Sequence, residues 1–169
     1  KPGGPILSLN EISVAGQSKR DSLHDFNLIL NSNEILGIAG ISGNGQNVLA
    51  DLISGLVAPD RGSIVLKGVA IENISPFNMI KSGFGRIPED RHRQGIVGGL
   101  SVSENMIIER LDDPQIQNFG FLRSSVINKN AKTLSEKYDV RGPGIDQASR
   151  LLSGGNIQKL ILALSLIHI

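Results

Sequence analysis

Two residue types are missing altogether from these 169 residues: there is no cysteine and no tryptophan. The first absence excludes disulfide bonds and any zinc site built on thiolates. Aromatics make up only 4% of the chain, so aliphatic side chains must fill the core. An excess of either charge is lacking too: 17 Lys and Arg stand against 16 Asp and Glu, for a net charge of +1. A nucleic-acid surface ordinarily shows as a basic excess, so no nucleic-acid partner is indicated. No apolar run reaches the roughly 20 residues that span a bilayer as a helix, and no signal peptide is visible. The chain opens on Lys1 and not on methionine, so it reads as a piece of something longer. Glycine, by contrast, is plentiful at 20 residues and implies many tight turns. The length suits one domain, or one domain in two lobes.

The organising stretch is 33–56 (NEILGIAGISGNGQNVLADLISGL). Residues 35–39 form a short apolar run flanked by glycines, which predicts a buried strand. Gly40, Gly43 and Gly45 then allow a tight backbone turn. Val48, Leu49, Leu52, Ile53 and Leu56 recur at helical spacing, so a helix follows. Such a turn aims several N–H groups at one spot beside a positive helix end, which makes an anion site. Set against the phosphate-loop pattern G-x-x-x-x-G-K-[ST], both glycines fit, at Gly40 and Gly45. Gln46 stands in the lysine position and Asn47 in the hydroxyl position. The cradle is there, but its cation and its usual magnesium ligand are not. The alternative is a glycine turn with no ligand.

In chain order, residues 1–5 (KPGGP) read as a linker. Residues 6–14 alternate as one or two strands, and 26–30 as another. An antiparallel β layer is therefore expected before the loop. A turn at Pro59-Asp60-Arg61-Gly62 leads to a strand at 63–67. Ser75-Pro76 opens a short helix through Lys81. Residues 84–87 read as a short strand, followed by the polar loop 88–95. Ser101-Val102-Ser103-Glu104 is a capping box opening a helix to about Arg110. Residues 112–121 read as irregular and 141–150 as a loop. Between those two stretches, Ile127, Ala131, Leu134 and Tyr138 lie at helical spacing. Leu152-Ser153-Gly154-Gly155-Asn156 then leads into an apolar helix over 157–163. A hydroxyl and bare N–H groups at a helix start make a second anion site. Ordinary capping would leave the same trace.

With these residues in this order, the chain resembles the ATP-binding domains of ABC transporters. Leu152, Ser153, Gly154, Gly155, Asn156 and Gln158, followed by Lys159, are similar to the family's signature motif. Ser42-Gly43-Asn44-Gly45-Gln46 resembles the altered phosphate loop of the second ATP-binding domain in tandem importers for simple sugars and nucleosides. Pro88-Glu89-Asp90-Arg91 and Asp139-Val140-Arg141 resemble that subgroup as well. The resemblance covers 6–163. It implies an α/β P-loop ABC ATPase domain with an N-terminal antiparallel β layer, a RecA-like core and a helical subdomain. On this division 6–95 hold the β layer and first half of the core, and 96–163 the helical subdomain. The C-terminal half of the core would be missing.

The resemblance also implies a mechanism. Two ATP-binding domains face each other, and each ATP lies between one domain's phosphate loop and the other's signature. Here Ser153, Gly154 and Gly155 would serve in trans. The local site would comprise Gly40, Ser42, Gly43, Asn44, Gly45, Gln46, Asn47 and Glu89, and would be the weak one. The cofactors implied are ATP and Mg, with Asn47 as the one candidate metal ligand. The partners implied are a second ATP-binding domain, transmembrane permease subunits met by residues 84–105, and indirectly a solute-binding protein. The setting implied is the cytoplasmic face of the membrane. Family members stack adenine on an aromatic in the β layer; none lies between Leu9 and Leu23, and Val14 is the nearest apolar candidate. The family's Asp-Glu strand and switch histidine do not occur before Ile169, so no catalytic residue is assigned. Residues 164–169 match nothing expected of the family and read as a foreign tail. His24, His92 and His168 read as ordinary. A non-hydrolysing regulatory module is the alternative reading. A nucleic-acid ABC ATPase is disfavoured by the charge and by the lack of coiled-coil heptads.

Overall fold

A computed structural model describes residues 1–16, 18–41 and 43–166, the side chains of Lys19 and Leu166 apart. It divides into two compact units, Lys1–Ser82 and Gly83–Ile169.

The first unit is built on a four-stranded antiparallel sheet in the order β2-β1-β3-β4. Its strands are β1 (Pro5–Val14), β2 (Leu23–Asn31), β3 (Arg61–Leu66) and β4 (Val69–Ala70). Strict alternation along β1 would send Leu7 and Leu9 to one face and Ile12 and Val14 to the other. All four are buried in one cluster. The shift comes at Glu11, whose φ is 51°, with register breaks on both sides of the strand. A bulge adds one residue and so reverses the facing of the residues beyond it. Asn27 Oδ1 accepts the Glu11 N–H at 2.9 Å. Helix α1 (Gln46–Ile53) packs on this cluster through Leu49 and Leu52. Helix α2 (Pro76–Lys81) starts where its sequence predicts, with Ser75 Oγ accepting the Asn78 N–H.

The second unit carries α3 (Val102–Asn105), the hairpin β5–β6 (Gln117–Asn118, Phe121–Leu122), α4 (Ser124–Lys137) and α5 (Gly154–Leu166). The expected capping box is present: Ser101 and Glu104 each bond the other's backbone N–H. Met106, Ala131, Leu152, Ile157, Leu160 and Ile161 are buried together. Asn105, itself buried, is the hub of the loop before α3. Its amide meets the N–H and C=O of Val97, the carbonyls of Leu100 and Ser101, and Ser149 Oγ.

Three expectations are corrected. The strand predicted at 35–39 does not form: residues 34–41 carry no regular structure, and Ile35 is 100% and Ile41 78% exposed. A strand exists only against a partner, and no described residue supplies one. The strand predicted at 84–87 is absent for the same reason; the Arg86 carbonyl instead accepts from Ser165 Oγ at 2.8 Å. The helix predicted to Arg110 stops at Asn105, where the side-chain amide takes the Ser101 carbonyl, and a 3-10 turn Ile108–Arg110 follows. The hairpin is not predicted by the sequence. Its turn places Phe119 at φ 50° and Gly120 at 81°, and a phenylalanine is not the Asn or Asp that usually marks such a turn.

Candidate functional site

The glycine loop before α1 has the backbone its sequence requires. Gly43 and Gly45 sit at φ 85° and 86°, a region open to glycine and strained for most other residues. Gly45 stands at the N-cap. No side chain caps the first turn, whose N–H groups are among those that an α-helix leaves without an intrahelical partner. The Gln46 side chain folds back over the loop: a Cβ on Gly40 would lie 2.3 Å from its Nε2. Asn44 and Asn47 are exposed. Ser42 lies outside the described residues. Sequence reading missed Asp21, whose Oδ1 accepts the Gly45 N–H at 3.3 Å. One donor of the cradle is thus already turned to a carboxylate of the same chain. The two residues lie far apart in sequence, and no motif links them.

The second candidate site is more heavily built. Ser153 precedes α5, and its carbonyl accepts the Ile157 N–H at 2.9 Å. Leu152 anchors the turn in the core, buried with Ile157. Asn156 ties two segments together: Nδ2 donates to Ser153 Oγ at 2.9 Å, and Oδ1 accepts the Arg141 N–H at 2.8 Å. Lys159 Nζ donates to the carbonyl oxygen of Asp139 at 2.9 Å and to its Oδ2 at 2.6 Å. Arg141 Nε donates to the other Asp139 oxygen at 2.7 Å. The Lys159 hydrogen bond first, and Arg141 second, hold the Asp139 carboxyl below its ordinary range. Gln158 Oε1 accepts from Arg91 Nη1 at 3.2 Å. Gly155 is open: a Cβ there would meet nothing within 4 Å.

Glu89 is exposed and belongs to the second unit, while the glycine loop belongs to the first. The arginines beside it in the sequence turn elsewhere, Arg91 to Gln158 and Arg93 to Asp90 at 3.8 Å.

Sequence comparison shows the family, and structure comparison the fold. The profile of the ABC transporter family matches residues 23–168. The chain belongs to the ABC transporter family. It is 36% identical over 162 residues to the guanosine import ATP-binding protein NupO of Bacillus subtilis, covering 96% of this chain and 32% of that protein. It is 37% identical over 163 residues to the nucleoside import ATP-binding protein NupA of Lactococcus lactis, with the same two coverages. The chain therefore spans about a third of the length of these curated relatives. Among solved structures, an ATP-binding cassette in a dimeric post-hydrolysis state with ADP and Pi aligns at TM-score 0.69 and 18% identity. That alignment covers 96% of this chain and 70% of the other. The fold is that of an ABC ATPase cassette, mixed α/β with an antiparallel sheet.

For an ABC cassette, the donors of the glycine loop fit a phosphate, with a neutral amide where the family pattern has lysine. They fit a divalent cation less well. Among the described residues no cluster of three or more His, Asp or Glu could hold a metal, and Asn47 offers one neutral oxygen. Val14, the expected stacking candidate, is buried in the cassette's first core. The bulge at Glu11 turned it inward, so it has no face for a base. Leu164 and Ser165 are buried parts of α5, while 167–169, including His168, lie outside the described residues. Among the described residues no helix of the cassette is long and apolar enough to cross a membrane.

Proposed function

We propose that this chain belongs to the ATP-binding, energy-coupling domain of an importer for nucleosides or simple sugars, and that it works as half of a composite ATPase. Relatives named for guanosine, nucleoside and ribose import support that class of solute. The carrying observation is the contrast between the two anion sites. The phosphate loop holds a neutral Gln46 amide and an internal carboxylate from Asp21, whereas the signature is complete and braced through Asn156, Gln158 and Lys159. Residues 153–155 then close on a triphosphate gripped by a second ATP-binding domain, placed N-terminally in the same longer chain. The local site takes its own nucleotide weakly. ATP with Mg is the cofactor, and Asn47 would be the local loop's contribution to the metal. The other partners are transmembrane permease subunits, reached by residues 84–105, and indirectly a solute-binding protein. The work is done at the cytoplasmic face of the membrane. Asp21 on Gly45 favours a second reading for the local site alone, that of a non-hydrolysing regulatory nucleotide site.

The test uses the full-length chain in its assembled transporter. Gln46→Lys with Asn47→Ser replaces a neutral phosphate bond by a charge-assisted one, so ATP affinity at this site should rise roughly tenfold. Ser153→Arg should abolish turnover. Unchanged affinity in the first variant would defeat the weak local site, and normal turnover in the second would defeat the role in trans.

A further inference from the structure

The first two turns of α5 are gripped on two flanks. On one, Asp139 and Arg141 hold Lys159 and Asn156. On the other, the half-buried Arg91 donates from Nη1 to Gln158 Oε1 at 3.2 Å. Its guanidinium also covers Gly154, where a Cβ would lie 2.9 Å from Nη2. Helical residues advance about 100° each. Gly154 and Gln158 are therefore stacked one turn apart, while Asn156 and Lys159 fall on another side. The buried Ile157, Leu160, Ile161 and Leu164 take the side facing the core. Arg91 reaches this flank from the loop 88–95, whose end is also pressed on α5: a Cβ on Gly95 would lie 2.3 Å from Ile161 Cδ1. One nitrogen of the guanidinium donates to Gln158 while the rest of the flat group covers Gly154, a double placement that an ammonium could not reproduce.

We propose that Arg91 is a positioning residue for the signature. Through Gln158 and Gly154 it fixes the direction of the N–H groups at 153–155, and it makes the loop 88–95 and the first turn of α5 move as one piece. This rests on the reading that the signature serves a nucleotide. The small space at Gly154 belongs to the same device, because any side chain there would displace the guanidinium.

The test is ATPase kinetics of the assembled full-length transporter carrying Arg91→Ala, Arg91→Lys, Gln158→Ala or Arg91→Ala with Gln158→Ala, with Ser153→Arg as reference. Misplacing a group by 1 Å can cost about a hundredfold in rate. Arg91→Ala and Gln158→Ala are each expected to lower kcat about tenfold, with KM for ATP within about twofold. The double variant should be no slower than the slower single one, because both remove the same link. Arg91→Lys should recover only part of the rate, since an ammonium lacks the fork. Normal kcat in Arg91→Ala, or losses that multiply in the double variant, would overturn the proposal. Where Arg91→Ala does not assemble, Arg91→Lys decides: a several-fold lower kcat at constant KM supports it and normal kcat overturns it. Full turnover in Ser153→Arg would instead bring down the reading of the signature, whatever Arg91 does.

Discussion

At the scale of single residues, three carboxylates give this cassette measurable properties. Asp21 places a negative charge on the phosphate loop at Gly45. A charge beside a helix start is worth about 0.3–1 kcal/mol, and on the proposed reading Asp21 would compete there with phosphate. Asp21→Asn should therefore tighten nucleotide binding at this loop about two- to fivefold. The readout is titration of a fluorescent ATP analogue with any second phosphate loop of the assembly disabled. Asp139 acts through pH. Lys159 and then Arg141 hold its folded pKa below the ordinary 3.8. A depressed carboxylate contributes stability that is complete above its unfolded pKa and lost as pH falls through the folded value. Denaturant midpoints should fall as pH drops below about 4, and Asp139→Asn should flatten that fall. Glu104 adds to the same acid window, lowered by the Ser101 N–H first and the Ser101 hydroxyl second, so some slope should survive in the Asp139 variant.

At the scale of elements, the second unit depends on polar fastenings as much as on apolar burial. Asn105 is buried and bonds to four other residues. Asn105→Ala would take the acceptor from the Val97 N–H, at a cost of about 1–3 kcal/mol for a donor left buried, while the carbonyls of Val97, Leu100 and Ser101 keep other donors. In the full-length chain a loss of about 1–3 kcal/mol in chemical denaturation is expected, on the order of one such group. A change under about 0.5 kcal/mol, the usual surface effect, would show that water replaces the amide. The sequence shows Asn105 only as one polar residue after a capping box. Its importance comes from Val97 and Ser149, which local pattern cannot join. The capping box, by contrast, was fully legible, because Ser101 and Glu104 need only each other. So was the start of α2 at Ser75-Pro76, and the periodicity of α1 and α4 marked both helices, though α1 stops at Ile53, short of the Leu56 that its spacing included. In β1 the alternation was legible but its facing was not: the bulge at Glu11 is held by Asn27 on the neighbouring strand.

At the scale of the whole molecule, the apolar stretch at 35–41 dominates behaviour. Ile35, Leu36, Ile38 and Ile41 are exposed, although their pattern is that of a buried strand. Unpaired apolar backbone of this kind invites association. The 169 residues expressed alone are expected to aggregate at micromolar concentration, to melt without cooperativity and to show no ATPase above background. Light scattering, calorimetry and phosphate release check these three outcomes. A sharp melt of a monomer would mean that 35–41 find a partner within the chain.

The sequence by itself determined the family and where its two glycine-rich helix starts lie, because glycines at fixed spacing before a helix leave a trace in any fold that uses them. It also determined that Gln46 and Asn47 stand where a cation and a hydroxyl would. Tertiary structure alone decided which groups reach those sites: Asp21 on Gly45, Arg91 on Gln158, Asp139 on Lys159. It alone turned Val14 inward and left 35–39 without a strand partner among the described residues. The reason is the same in each case. A turn or a cap is settled by neighbours in sequence, whereas a strand, a facing or a bond between distant side chains is settled by what the fold brings alongside.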